Sequence, residues 1–378
     1  MNPKIIIEDA HLKSGRITNN LEAPPNLKKH FNSSVFYAQY DEEITAEMSI
    51  LNIPAVSAVL PMAWIKGWDI QVNTLDKNFI KSMNNLQQEY VHIYPKVSFK
   101  TKIFADRIVE NSVKAHGMAL TFSGGLDSVY SMISNIDSKP RLIMLFPFDA
   151  GPSAREFWTK VTSFYSAFAR QVDLPFNNIE TNIRWILTGA PKWKELGQSY
   201  WAGFQLPTIQ AGITAPLSIG RFDILLCSAG RAKEWALSTK EHPWGMGPNT
   251  TNKIAWADLR VRFDGAVHRH EKCALVGPYL KKGLKLRVCC AQFEKFNCCK
   301  CDKCLLTIVE LLAVGIDPNI CGFEVNSSTL INLKARGIRS DPYSKIYHWI
   351  PLQKLPIPQK DLYGSQFFFK WLKTLKLM

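Results

Sequence analysis

Two clusters in this 378-residue chain combine residue types and spacings suited to chemistry. The first is Ser123-Gly-Gly-Leu-Asp-Ser128, directly after the apolar run Met118 to Phe122. The run reads as a buried parallel strand, the glycines as a loop with little side-chain bulk, and Asp127-Ser128 as a helix start. Val129, Met132, Ile133 and Ile136 then recur at helical spacing. Strand, glycine loop and helix N-terminus make an anion cradle: free backbone N–H groups and the positive dipole end meet the charge, and glycines let the backbone come close. The Gly-Lys-Ser/Thr ending of a Walker A loop is missing. The second cluster, Cys289, Cys298, Cys301 and Cys304, is spaced C-x8-C-x2-C-x2-C. Four thiolates at that reach suit tetrahedral Zn²⁺, with an iron–sulfur cluster as the rival. Cys290 and Cys299 are spare neighbours, and Cys227, Cys273 and Cys321 read as buried or free thiols.

The elements that must position these clusters alternate between strand and helix from Gly117 onward, the pattern of a parallel sheet covered on both faces. Strands are expected at Met118 to Phe122, Arg141 to Phe146, Asn178 to Asn182 and Asp223 to Ser228, and an aromatic-rich helix, Ser153 to Gln171, reads as core packing. In open α/β sheets ligands bind beyond the carboxyl ends of the strands. That places Ser123, Phe148, Asp149, Ser228 and Gly230 around one pocket. The front 1–115 reads as a mixed, mostly β domain. Strands are expected at Lys4 to Ile7, Val35 to Ala38, Tyr90 to Tyr94 and Val97 to Ile103, with helices at Leu75 to Leu86 and Asp106 to Ala115. Its acidic cluster Asp41-Glu42-Glu43 reads as a solvated face. The further divisions are 116–288 for the nucleotide domain, 289–322 for the cysteine module and its helix, and 323–378 for a basic helical extension.

The Ser123–Ser128 string resembles the SGGxDS signature of the PP-loop ATP pyrophosphatases, which cleave ATP to AMP and pyrophosphate. With the cysteine pattern, and with Cys301-Asp-Lys-Cys304-Leu-Leu followed by Ala313-Val-Gly-Ile-Asp-Pro318, the stretch from Gly117 to Pro318 is similar to the 7-cyano-7-deazaguanine synthases. The resemblance implies a parallel-sheet PP-loop fold, a structural zinc, and adenylation of 7-carboxy-7-deazaguanine, after which ammonia displaces AMP to give an amide and then a nitrile. Carried onto this chain, ATP would be bound by Thr121, Phe122, Ser123, Gly124, Gly125, Leu126, Asp127, Ser128, Phe148, Asp149, Ser228 and Gly230. Ser123, Asp127 and Ser128 would serve catalysis, with Asp127 orienting Mg²⁺ or the loop. The family's acidic substrate segment is missing; Ala229 to Glu234 and His242-Pro-Trp244 stand in its place, and the front and the tail are extra. The chain thus looks like a member of a broader group, some of which occur in bacterial antiviral operons and modify proteins. Arg231, His242, Arg260, Arg262 and Lys272 are the candidate substrate contacts.

Two further readings are a tRNA-thiolating enzyme with a cysteine-bound cluster and a non-catalytic nucleotide-binding module whose basic tail recruits a partner. The formal charge of +14 suits a polyanionic partner, whether ATP, another nucleotide, RNA or an acidic protein. A protein substrate or a homodimer partner also fits. The apolar stretches Ala58 to Ile65 and Leu311 to Ile316 are short of a membrane span, the N-terminus has no signal-peptide layout, and clustered thiols suit a reducing cytoplasm. The terminal stretch Phe367 to Met378 alternates a Phe368, Leu372, Leu375 stripe with Lys370, Lys373 and Lys376, the pattern of a helix docked on the body.

Overall fold

The computed structural model describes residues 2–148, 150–192, 196, 199–228, 230, 245–339 and 344–377. The expected α/β architecture is present as a single sheet of 12 strands with helices on its faces. β1 (Lys4–Ile7), β2 (His11–Lys13), β3 (Arg16–Glu22), β4 (Val35–Tyr40), β5 (Asp69–Asp76) and β6 (Ile103–Val109) come from the front of the chain. β7 (Met118–Thr121), β8 (Arg141–Phe146), β9 (Phe176–Thr181), β10 (Ile224–Ser228), β11 (Ala255–Trp256) and β12 (Leu259–Asp264) follow. The spatial order is β11-β12-β10-β7-β8-β9-β4-β3-β1-β5-β6, with β2 paired to β3. From β12 to β9 all pairs are parallel, and β9-β4-β3-β1 is antiparallel. β1-β5-β6 is parallel again.

The boundary expected at residue 115 therefore falls inside one continuous sheet. β4 pairs with β9 through Ala38 opposite Thr181, so the front strands extend the central sheet. Asp41 and Glu43 of the acidic cluster are exposed, as expected, but Glu42 is half-buried and the cluster tightens that seam. Glu42 pairs with Arg141 at 2.7 Å and Arg221 at 2.8 Å, and Asp41 accepts from the Asn177 side chain and the Asn178 backbone N–H.

Alternation along the central strands puts both faces in apolar surroundings, which is why these strands read as unbroken hydrophobic runs. Ala119, Ile143, Leu145, Leu225 and Cys227 enter the core shared with the front helices Ile53–Lys66 and Lys77–Ile93. Leu120, Leu142, Met144, Phe146 and Leu226 enter the opposite core, built by helices Leu126–Ser134, Arg155–Gln171 and Asp302–Ala313 and by the tail. Phe157, Tyr165 and Phe168 are buried there, as expected of the aromatic helix. The terminal helix Ser365–Thr374 docks on the same core through Phe368, Phe369 and Leu372, leaving Lys370 and Lys373 exposed.

Three front assignments change. Tyr90 to Tyr94 is the end of helix Lys77–Ile93, because Phe79, Met83, Leu86, Tyr90 and Ile93 line one buried stripe whose helical period outweighs the local β-branched and aromatic content. Val97 to Thr101 is irregular, and Ile103–Val109 is the strand where a helix was expected near Asp106. As an edge strand with a mostly exposed surface, β6 carries little hydrophobic alternation to betray it. Helix Met48–Lys66 is long and apolar enough to cross a membrane, with 89% of its most apolar window buried inside the fold.

Candidate functional site

The strand order reverses at β7: β8 and β9 are added on one side, β10 and β12 on the other. Loops leaving such a switch point diverge and open a crevice at the carboxyl end of the sheet. The Ser123–Ser128 loop leaves β7 there, beside the end of β10 at Ser228. The loop's backbone is closed by its own hydroxyls. Ser128 Oγ donates to the Gly125 carbonyl at 3.1 Å and accepts from the Ser123 N–H at 3.2 Å, while the Gly125 N–H donates to Ser123 Oγ at 3.3 Å. Ser128 thus shapes the turn, and the N–H groups of Leu126 and Asp127, in the first helical turn, have no intrahelical acceptor.

Gly124 has φ +75°, and a Cβ there would lie 2.2 Å from Tyr165 Cζ. Its carbonyl accepts from the Arg287 N–H at 2.8 Å and from the Tyr165 hydroxyl at 3.2 Å. Gly124→Ala is expected to cost about 3 kcal/mol, from left-handed strain plus overpacking. Gly125→Ala, with φ −72° and no neighbour nearer a Cβ than 3.3 Å, should cost under about 1 kcal/mol. Urea denaturation of both variants checks the contrast.

Asp127 sits in a buried ionic network that the sequence did not disclose. Lys272 Nζ donates to Oδ1 at 2.7 Å and Arg269 Nη1 to Oδ2 at 2.9 Å. Arg269 Nε also spans both Glu310 oxygens at 3.0 Å, and its Nη2 donates to Thr307 Oγ1 at 3.1 Å. Burial alone would push the Asp127 carboxyl up, but Lys272 and Arg269 more than offset it and hold it at about 2. Burial pushes Glu310 up to about 7 despite Arg269. The network binds the loop helix to helix Arg269–Leu280 and to the helix that carries Cys304.

Above the loop lies a cavity of about 480 Å³. Thr121, Phe122, Ser123, Gly125, Leu126, Asp127, Ser128, Phe148, Ser228 and Gly230 all line it, which brings together the expected nucleotide contacts apart from Gly124 and Asp149. Gly124 faces Tyr165 and acts as backbone, and Asp149, Arg231 and His242 lie outside the described residues. Arg260 and Arg262 are exposed on β12 and do not line the cavity, because strand alternation turns both toward solvent. Lys272 is fully buried against Asp127, so it is a partner of the loop and not a substrate contact. Each Asp127 oxygen is held by a cation, which favours the expected orientation of the loop by this carboxylate over that of Mg²⁺.

Among the described residues, the cavity's cations are Arg269, Arg287, Lys303, Arg336 and Arg339, against Asp127 and Asp302. Arg287, Lys303, Arg336 and Arg339 were not foreseen, because they come from stretches with no phosphate-binding pattern of their own. Arg287 is 4% exposed, and its Nε and Nη2 have no hydrogen-bond partner. The Ser228 hydroxyl is also buried without a partner. Ile143, Leu145, Phe148, Leu206 and Met246 give the cavity an apolar part of its wall.

The four expected cysteines do converge: their Sγ atoms all lie within 4.8 Å of one another, an arrangement able to hold a metal ion such as zinc. Cys289 and Cys301 sulfurs are 4.0 Å apart and Cys298 and Cys304 sulfurs 3.9 Å apart. A tetrahedron of ~2.3 Å Zn–S bonds has edges of roughly 3.8 Å, so the spacing fits. Cys298 Sγ accepts from the Cys301 N–H at 3.2 Å, and hydrogen bonding among the clustered thiols, from Cys304 above all, lowers the Cys301 thiol. Asn297, also unforeseen, pins the segment from inside. Its carbonyl accepts from the Val288 and Cys289 N–H groups, and its amide donates to the Leu286 and Gly322 carbonyls. Cys289 and Cys290 also line the cavity, so metal module and loop share one wall. Compared with protein-family models, with curated proteins and with solved structures, the chain matches none.

Proposed function

We propose that the cavity binds ATP and that the protein is an ATP pyrophosphatase that adenylates a carboxylate. The observation that carries this reading is a glycine loop opening a helix at the sheet's switch point, beneath a cavity whose cations outnumber its acids. The outer phosphates rest on the amides of Leu126 and Asp127 at the helix start, where charge on departing pyrophosphate is stabilised. Adenine lies against the apolar wall at Phe148 and Leu206. A substrate carboxylate oxygen attacks the α-phosphorus, pyrophosphate leaves, and ammonia or a protein amine then displaces AMP to give an amide. The resemblance names 7-carboxy-7-deazaguanine as the first acid to try. Zinc held by Cys289, Cys298, Cys301 and Cys304 supplies a structural cross-link beside the cavity.

The test supplies ATP, Mg²⁺, 7-carboxy-7-deazaguanine and ammonia, and follows AMP and pyrophosphate, together with intact masses of co-encoded proteins. Equal amounts of AMP and pyrophosphate, dependent on the acid or on a protein acceptor, are expected. ADP and phosphate would mean transfer of the terminal phosphoryl group and would sink the reading. ATP binding with no pyrophosphate under every condition would favour a non-catalytic nucleotide module, and a brown, iron-containing preparation would favour thiolation chemistry.

A further inference from the structure

We propose that Arg287 is the receptor for the carboxylate of the molecule activated in the cavity, a planar aromatic or heteroaromatic acid. The inference rests on the nucleotide reading above and adds the seat of the second substrate.

Arg287 differs from the other buried cation in the cavity wall. Arg269 is shared between Asp127 and Glu310, whereas no carboxylate among the described residues pairs with Arg287. Its guanidinium carbon lies 5.2 Å from the Trp158 ring centroid and 5.8 Å from that of Phe157. Those rings hold the guanidinium without neutralising it. A buried charge without a counter-charge is costly, and an oxyanion arriving in the cavity relieves that cost. The position is set by the loop, since the Arg287 N–H donates to the Gly124 carbonyl. An anion on Arg287 is therefore held in register with whatever occupies the loop.

The chemistry selects a carboxylate over a further phosphate. The loop already offers amides and a helix N-terminus to the phosphate chain, the arrangement suited to tetrahedral oxyanions. A guanidinium is a planar fork that matches two coplanar oxygens. Trp158, in the cavity wall beside the guanidinium, supplies an aromatic edge for the ring that carries the acid. In the transfer, one carboxylate oxygen forms a bond to the α-phosphorus while the bond from that phosphorus to the pyrophosphate oxygen breaks. The electron pair leaves on pyrophosphate, and no proton moves.

The experiment is titration calorimetry on the full chain saturated with α,β-methylene-ATP, which cannot release pyrophosphate. The titrants are 7-carboxy-7-deazaguanine and benzoate, each against its amide. Wild type should bind at least one acid tenfold or more tighter than its amide. Arg287→Gln should abolish that preference while binding the nucleotide analogue within about twofold of wild type. Arg287→Lys, which keeps the charge but not the fork, should retain a small preference, and the melting temperatures of both variants report their folding. Equal loss of nucleotide or pyrophosphate affinity in Arg287→Gln would reassign Arg287 to the phosphates. Lack of any acid-over-amide preference in wild type would also overturn the proposal. Failure of wild type to bind the nucleotide analogue would instead overturn the nucleotide reading beneath it.

Discussion

On the proposed reading, Cys304→Ser should abolish zinc binding and nucleotide binding in one step. Cys304 is fully buried at the start of helix Asp302–Ala313, and its sulfur lies 3.9 Å from that of Cys298. Serine offers a harder, poorly ionised oxygen in place of a thiolate. Structural zinc sites of this type contribute on the order of 10 kcal/mol to the folding of the segment they cross-link. Only part of that reaches the global unfolding, since Leu305, Ile308, Val309, Leu311 and Leu312 of the same helix remain packed in the core. The local effect is larger, because Cys289 and Arg287 are two residues apart and Arg287 hydrogen-bonds the glycine loop. Metal analysis of wild type should find one zinc per chain and the variant none. Loss of zinc with full retention of nucleotide affinity would show the two sites to be independent.

Asp127→Ala should destabilise the fold by about 2–4 kcal/mol at neutral pH and stop pyrophosphate release. Removing one member of a buried ionic network generally costs ~3–5 kcal/mol, because the stranded charges stay buried. Here Glu310 still serves Arg269, which lowers the figure, whereas Lys272 is left fully buried without its carboxylate. The carboxyl's own titration gives a consistent lower bound. A folded-state value of about 2 against the ordinary 3.8 corresponds to about 2 kcal/mol. Because the folded value is depressed, this stabilisation is fully present above pH 3.8 and is lost as pH falls through about 2. Denaturant unfolding of wild type and variant at pH 7 and at pH 2.5 should show the gap narrowing in acid. A gap that stays constant would mean that Asp127 is not the group that titrates.

Both sites were legible in the sequence because each is local: six consecutive residues for the loop, sixteen for the thiolates. The central strands were legible for a related reason, since burial on both faces leaves an unbroken apolar run such as Leu142 to Phe146. What could not be read there is assembled from distant segments. Arg269 reaches Asp127, and Glu310 reaches Arg269, only because two helices pack on a third. Arg287 is singled out because its buried Nε and Nη2 lack a partner among the described residues, a property of the folded environment and not of its neighbours in sequence. The reach of the sheet into the front was hidden for the same reason. Glu42 looked solvated until Arg141 and Arg221 were seen on either side of it.

The pairing of Ala38 with Thr181 also bears on how the chain is made. When β4 leaves the ribosome, the strand that will cover its side is still more than a hundred residues from synthesis. Long-range closures of this kind are slow, and the waiting edge is adhesive. The nascent front therefore spends its first seconds as an unfinished sheet margin, the interval in which a holding chaperone has most to protect.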